Sequence, residues 1–226
     1  MADLRFWATA AALALLFSAV ACSARKSRRA TLEPPDARDA LRGFEQGEIT
    51  ATLETDEGDV KCRLDRHAPR ALALFVGLAT GRAKWRDPQS GQTVSRPLYD
   101  GRRIFRAIPG VLVQTGCPRD DGTGQPGYRI EVETDADDAA RLSRRGVLVM
   151  ARYTPPPGRS DPNPPPPGHV IGSQFGVALS DMRHLTGQVT VLGNCEDLGV
   201  VARIADGVAH GAQPMLRHVR IAAGSP

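Results

Sequence analysis

A chain of 226 residues with 24% charged and 41% apolar residues is long enough for one or two domains and too apolar to be wholly disordered. The net charge of +4, with its only tight basic cluster at Arg25, Lys26, Arg28 and Arg29, argues against nucleic acid, which needs clustered Lys and Arg along one face. Six Phe, two Trp and three Tyr against 23 Gly and 18 Pro exclude a long helical bundle or coiled coil and indicate a turn-rich fold with few rings.

The first segment reads as an address. Phe6 to Ala21 is an uncharged Ala/Leu-rich run of about 16 residues, short of the roughly 20 that span a bilayer and suited to the apolar core of an export signal. It ends at Ala19-Val20-Ala21-Cys22. Small residues before a cysteine resemble a bacterial lipoprotein processing site. That implies a signal peptide over 1–21, lipidation of Cys22 and a periplasmic, membrane-anchored protein. An ordinary cleavable signal is the alternative, and both readings export the chain. Cys62, Cys117 and Cys195 then meet an oxidising compartment as an odd set; one disulfide plus a buried thiol, or three buried thiols, both remain open. No CxxC or Cys/His zinc spacing occurs, and the five histidines are scattered, so neither a metal nor a cofactor is expected.

Residues 22–47 are polar, broken by Pro34-Pro35, and read as a tether with a short helix across Asp36 to Phe44. The domain follows over 48–226. Ile49, Ala51 and Leu53 alternate with polar residues, Asp56 to Asp59 turns the chain, and Val60, Cys62 and Leu64 alternate again, which is a hairpin pattern. Pro69 opens a helix with Leu72, Phe75, Val76 and Ala79 on one face, and Gly81 ends it. Residues 82–98 read as a loop or small hairpin. Strands are expected at Arg103 to Ala107, Val111 to Gln114, Tyr128 to Val132, Gly146 to Met150, Phe175 to Leu179 and Val189 to Leu192. A second helix fits Glu196 to Ala205, and a last strand includes Val219 and Ile221. Many short strands with two helices indicate a closed barrel or sandwich with helical plugs. Phe75 and Phe175 read as core, with Phe105 a further candidate. Eight prolines between Pro155 and Pro167 make a stiff polyproline-type loop.

Several motifs in order carry a resemblance. They are Gly58-Asp59-Val60 and Ala68-Pro69-Arg70, then Tyr99-Asp100-Gly101, then Phe105-Arg106-Ala107-Ile108-Pro109-Gly110 with Gln114 and Gly116. Gly122 to Tyr128, Gly146 to Ala151, Gly172-Ser173-Gln174-Phe175 and His184-Leu185-Thr186-Gly187 follow. From about 49 to 222 the chain resembles the cyclophilin family of peptidyl-prolyl isomerases. The resemblance implies a closed eight-stranded antiparallel barrel capped by two α-helices, acting on proline-containing segments of exported proteins. Rotation about X–Pro faces a barrier of roughly 18–20 kcal/mol from amide resonance, and no bond breaks, so no nucleophile, metal or cofactor is required. A guanidinium that donates to the pyramidal prolyl nitrogen binds the twisted state better than either planar one. The resemblance gives Arg106 that role, with Gln114 and Gln174 orienting it and binding the peptide backbone.

Departures from the family pattern fall in the proline pocket. Ile104-Phe105 replaces Phe-His before the arginine. Val111 and Gly176 stand where pocket aromatics are usual, Leu112 where Met is usual, and Val189 where His is expected, while Leu185 is kept. Arg152 replaces an Asn after the Met-Ala pair. These changes predict weakened turnover, or a module that binds Pro-containing peptides or envelope partners without catalysis. Two other constellations carry less. Ser160, Asp161 and His169 lack a nucleophile elbow. Glu131, Glu133, Asp135, Asp137 and Asp138 lack EF-hand spacing and read as a solvated turn.

Overall fold

The computed structural model describes residues 32–153 and 170–224. The export signal, Cys22, the proline run and the Ser160/Asp161/His169 set lie outside the described residues. In chain order the elements are α1 (Ala37–Ala40), β1 (Ile49–Thr55), β2 (Gly58–Leu64), α2 (Pro69–Thr80), β3 (Trp85–Arg86), β4 (Thr93–Val94), β5 (Arg102–Arg103), β6 (Arg106–Ile108) and β7 (Leu112–Thr115). Then come β8 (Ile130–Glu131), α3 (Asp138–Leu142), β9 (Val147–Arg152), β10 (Val170–Ala178), a 3₁₀ turn (Arg183–Leu185), β11 (Thr190–Cys195), α4 (Leu198–Ala209) and β12 (Met215–Ala223). Among these, no helix is long and apolar enough to cross a membrane.

The main sheet is antiparallel, curled, and ordered β5-β12-β1-β2-β11-β9-β10-β7-β6, with β8 paired to β10. Its two end strands, β5 and β6, are consecutive in the chain and parted only by Ile104 and Phe105. Taken as one interrupted strand, they reduce the nine strands of the path to eight, and the sheet meets itself there through the chain. The continuous strand expected over 103–107 is broken for this reason. Its first half pairs with β12 and its second with β7.

Strand alternation fills the barrel. Ile49, Ala51 and Leu53 of β1 and Val60, Cys62 and Leu64 of β2 are all buried. Their two-residue turn is closed by Thr55, whose hydroxyl donates to Gly58 O (2.6 Å) and accepts from Glu57 N–H (3.1 Å). Phe75, Tyr99 and Phe175 pack ring to ring in the core, with centroids 5.0–5.3 Å apart. Cys62 and Cys195 face each other in the β2–β11 register and form a disulfide, leaving Cys117 as a buried thiol.

Helix α2 begins with Pro69, as its sequence requires, and ends where Gly81 adopts φ +75°, a conformation that favours glycine. One apolar face was expected, yet every residue from Ala71 to Ala79 is buried. The extra cover comes from the segment before β1. Asp36 caps α1 by accepting from Arg38 and Asp39 N–H, buried Ala40 sits over Gly77, and Leu32, Leu41 and Phe44 pack against the core. Arg82 donates to Ala40 O and Arg42 O, closing the end of that helix. Helix α4 starts two residues later than expected because Asp197 takes φ +57°, and it continues to Ala209 with Val201, Ile204 and Ala205 inward.

Candidate active site

The cross-strand registers build a row of residues. Arg106 lies opposite Gln114, Gln114 opposite Gly176, Gly176 opposite Val149, and Val149 opposite Val191. Residues in register share a face, and their neighbours Val113, Phe175, Val177, Leu148 and Met150 point into the barrel. The row therefore runs across the outer face. Gln174 stands two residues before Gly176 on the same face.

A directed chain of amides follows. Gln174 is 8% exposed, and its Nε2 donates to Gly122 O (2.8 Å) and Gly124 O (3.1 Å). Two carbonyls on one side fix the amide, because only its NH₂ can face them. Gln174 Oε1 must then face Gln114, whose Nε2 donates to it at 3.0 Å. That leaves Gln114 Oε1 toward Arg106 Nη1, at 3.5 Å. Arg106 is exposed, and this long contact leaves its donors available. The loop with the two carbonyls is itself pinned. Gly124 N–H donates to Cys117 Sγ (3.1 Å), and Asp121 Oδ1 accepts from Thr123 N–H (2.8 Å) and Thr123 hydroxyl (2.7 Å). Partial burial raises the Asp121 pKa, but the bonds from Thr123 and Cys117, with Arg119 nearby, outweigh it and leave it below the usual carboxylate value.

Beside this chain lies a cavity of about 450 Å³. A second apolar cluster, separate from the barrel interior, backs it: Leu142, Ala178, Met182 and Val189 reach the floor, Val147 and Val191 lie behind them, and Val111, Leu112, Val149 and Leu185 pack against the cluster and line the cavity. Arg106, Gln114, Gln174, Val111, Leu112, Gly176, Leu185 and Val189, the eight residues singled out in the sequence, all line this one cavity. Gln125 lines it too, and its Oε1 is buried without a partner among the described residues.

Phe105 was a core candidate, and the structure places it differently. Residues two apart on an unbroken strand share a face, yet Ile104 is in the barrel core and Arg106 is outside. The break between β5 and β6 shifts the phase by one residue. Phe105 consequently lines the cavity, half-buried, with its ring against Gly122. Tyr153 also lines the cavity, with the Arg129 guanidinium 4.0 Å from its ring centroid. No sequence motif marked Tyr153; Phe105 opens the Phe105-Arg106 motif, where it replaces a His, and that was the signal for its place beside the pocket. Gly176 cannot simply be given a side chain, because a Cβ there would stand 2.8 Å from Val113 O.

Away from the cavity, the acidic segment is more ordered than a solvated turn. Asp138 opens α3 and is 1% exposed. Arg141 Nη1 contacts Asp135 Oδ1 (2.5 Å) and Asp138 Oδ1 (3.1 Å). His67, Asp135 and Asp138 bring ligand-type atoms within 4.8 Å of one another, and Arg141 pairs with both of these carboxylates.

Residues 50–224 match the family model described as cyclophilin type peptidyl-prolyl cis-trans isomerase/CLD. Peptidyl-prolyl cis-trans isomerase B of Streptomyces anulatus is 35% identical over 147 residues, covering 65% of this chain and 75% of the relative. A peptidyl-prolyl cis-trans isomerase of Synechococcus elongatus is 35% identical over 161 residues, covering 70% and 89%. Among solved structures, a cyclophilin type isomerase of Cryptosporidium parvum aligns with a TM-score of 0.58 at 21% identity, over 79% of this chain and 99% of that one. A second structure of that protein, in the presence of the dipeptide Ala-Pro, aligns with a TM-score of 0.56 at 22% identity, over 77% and 99%.

Proposed function

The chain belongs to the cyclophilin-type peptidyl-prolyl cis-trans isomerase family, and we propose that it catalyses rotation about X–Pro bonds of exported proteins. The observation that carries this reading is Arg106, donor-rich and exposed, held by an amide chain at the lip of an apolar cavity. The proline ring enters the aliphatic floor. As the amide twists, its nitrogen becomes pyramidal and its lone pair accepts from the guanidinium. That bond is absent in both planar states, so it lowers the barrier selectively. Gln114 and Gln174 keep the guanidinium from wandering, and Gln125 Oε1 offers an acceptor for a peptide N–H.

Turnover is reduced relative to a pocket with rings at 111 and 176. An aromatic side chain buries about 150–250 Å², and Val111, Gly176 and Val189 supply less contact. A loss of about 1.4 kcal/mol of transition-state grip is tenfold in rate. Those same three residues favour the second reading, a module that binds proline segments without turning them over. NMR exchange on X–Pro peptides decides between them. An exchange rate above background that Arg106→Ala abolishes supports the enzyme. Equal background rates for wild type and variant, with peptide binding intact, leave the binding module.

The exported, lipid-anchored location rests on residues 6–22 and is supported by the Cys62–Cys195 disulfide, which suits an oxidising compartment. Cys22→Ser is expected to release the protein from the membrane fraction, and unchanged retention overturns lipidation at that residue.

A further inference from the structure

The cavity carries charge of one sign. Among the described residues lining it, the side chains that carry or can take a positive charge are Arg106, Arg152 and His184, and none is a carboxylate. Arg106 faces the reacting bond. Arg152 stands apart from it: it ends β9, and β10 and β7 separate β9 from β6. Three strand spacings of about 4.8 Å make roughly 14 Å across the sheet, and the three residues from Val149 to Arg152 add roughly 10 Å along β9. The separation is therefore roughly 17 Å, the span of about five extended residues. Arg152 is exposed, and one of its nitrogens donates to Gln188 Oε1, while Gln188 Nε2 donates to His184 O. The guanidinium is thus positioned at the far rim while its remaining donors point to no described acceptor.

We propose that this cavity selects acidic peptides: X–Pro segments with an Asp or Glu about three to five residues from the proline, whose carboxylate is received by Arg152. The proposal rests on the reading of the cavity as a proline-peptide site. A carboxylate there meets a rigid fork of donors and no like charge, whereas a Lys at the same place meets Arg152 and gains no counter-ion from the described lining.

The test uses matched Xaa-Pro peptides with Asp, Ala or Lys placed three to five residues to either side of the proline. Binding is followed by chemical-shift titration of the full chain, and rotation by NMR exchange. At about 20 mM salt the best Asp peptide is expected to bind three- to tenfold more tightly than its Lys counterpart. The ratio should shrink toward one above about 0.5 M salt, where the Debye length falls to a few ångströms. Arg152→Gln should bring the Asp-to-Lys ratio close to one, and Arg152→Lys should keep most of it. Equal affinities for all three peptides in wild type, or a preference that survives Arg152→Gln, overturn the proposal while leaving catalysis intact. Selective binding without exchange upholds it and removes the enzyme reading. Absence of binding to every peptide overturns both.

Discussion

Replacing Gln174 by Leu removes the hinge of the amide chain at nearly constant volume. Three hydrogen bonds disappear: those to Gly122 O, Gly124 O and Gln114 Nε2. Their costs differ. Gln114 is half-buried, and its amide can turn to water. Gly122 is half-buried as well, so its carbonyl loses only the net value of a bond, about 0.5–1.5 kcal/mol. Gly124 is buried, and apart from a 3.9 Å approach from Cys117 Sγ its carbonyl is left unpaired, at about 1–3 kcal/mol. The variant should therefore lose about 2–4 kcal/mol of stability. Its Gln114, no longer constrained, should stop presenting Oε1 to Arg106, and kcat/KM should fall about tenfold or more with a smaller change in KM. Gln174→Glu sharpens the test. A carboxylate has no donor for the two carbonyls and buries charge against them, so Glu should be worse than Leu despite its closer shape. Urea unfolding and NMR exchange measure both effects. If Leu and Glu each sit within about 0.5 kcal/mol of wild type, below what even one such bond is worth, the fixed-amide reasoning is refuted.

The remaining predictions touch other parts of the molecule. Arg106→Lys keeps the charge but loses the planar fork, so it should retain native stability in urea melts and recover little of the exchange rate. Removing the disulfide with Cys62→Ala and Cys195→Ala reopens a separation of 133 residues, which on chain-entropy grounds costs about 5 kcal/mol; an unchanged urea midpoint contradicts that. Gly176→Ala drives a Cβ to 2.8 Å from Val113 O and should cost about 1–3 kcal/mol as β7 and β10 separate, read as a lower thermal midpoint with shifted Gln114 and Gln174 side-chain resonances. Because the folded Asp121 pKa is depressed, its stabilisation of the loop is present above the unfolded carboxylate value near pH 4 and is lost as pH falls through the folded one. Amide protection at Thr123 and Gly124, measured relative to the intrinsic exchange rate at each pH, should fall over that acid range in wild type and already be low at neutral pH in Asp121→Asn.

The parts of the fold that the sequence made legible are those governed by one local rule. Alternation at 49–53 and 60–64 suffices for the β1–β2 hairpin because one side of each strand must be apolar. Pro69 and Gly81 bracket α2 because one lacks an N–H and the other tolerates positive φ. Long-range pairing is a different matter. Nothing local says that the chain at 102–108 leaves β12 for β7, and that exchange both closes the sheet and moves Phe105 to the cavity. The packing of Ala40, Leu41 and Phe44 on α2 was hidden for a similar reason: their neighbours are polar, and the complement to Ala40 is a bare patch at Gly77 in another element. The disulfide partner of Cys62 was equally invisible, since the pairing follows from β2 lying beside β11.

The few rings of this chain are distributed by the same logic. Phe75, Tyr99 and Phe175 fill the barrel centre, where Phe175 meets the other two rings edge-to-face. The floor of the cavity is left to Val, Leu and Met, and at Gly176 the close approach of β7 leaves no room for a side chain unless the strands shift. Among the described residues, aromatic rings return to the site at its walls, through Phe105 beside Arg106 and Tyr153 beside Arg152. An aliphatic floor grips a proline ring weakly, and selectivity then shifts to groups that touch the rest of the peptide. Within the described lining those groups are the amides of Gln114, Gln125 and Gln174 and, at the far rim, Arg152, which alone among these four carries a permanent charge. A preference set by charge at a distance is therefore expected to be a larger part of this cavity's discrimination than the fit of the proline itself. Substituting the proline-adjacent residue should accordingly alter affinity less than moving or neutralising a remote carboxylate. The same peptides made with a second set of residues before the proline measure both changes, and the opposite order in low salt contradicts the argument.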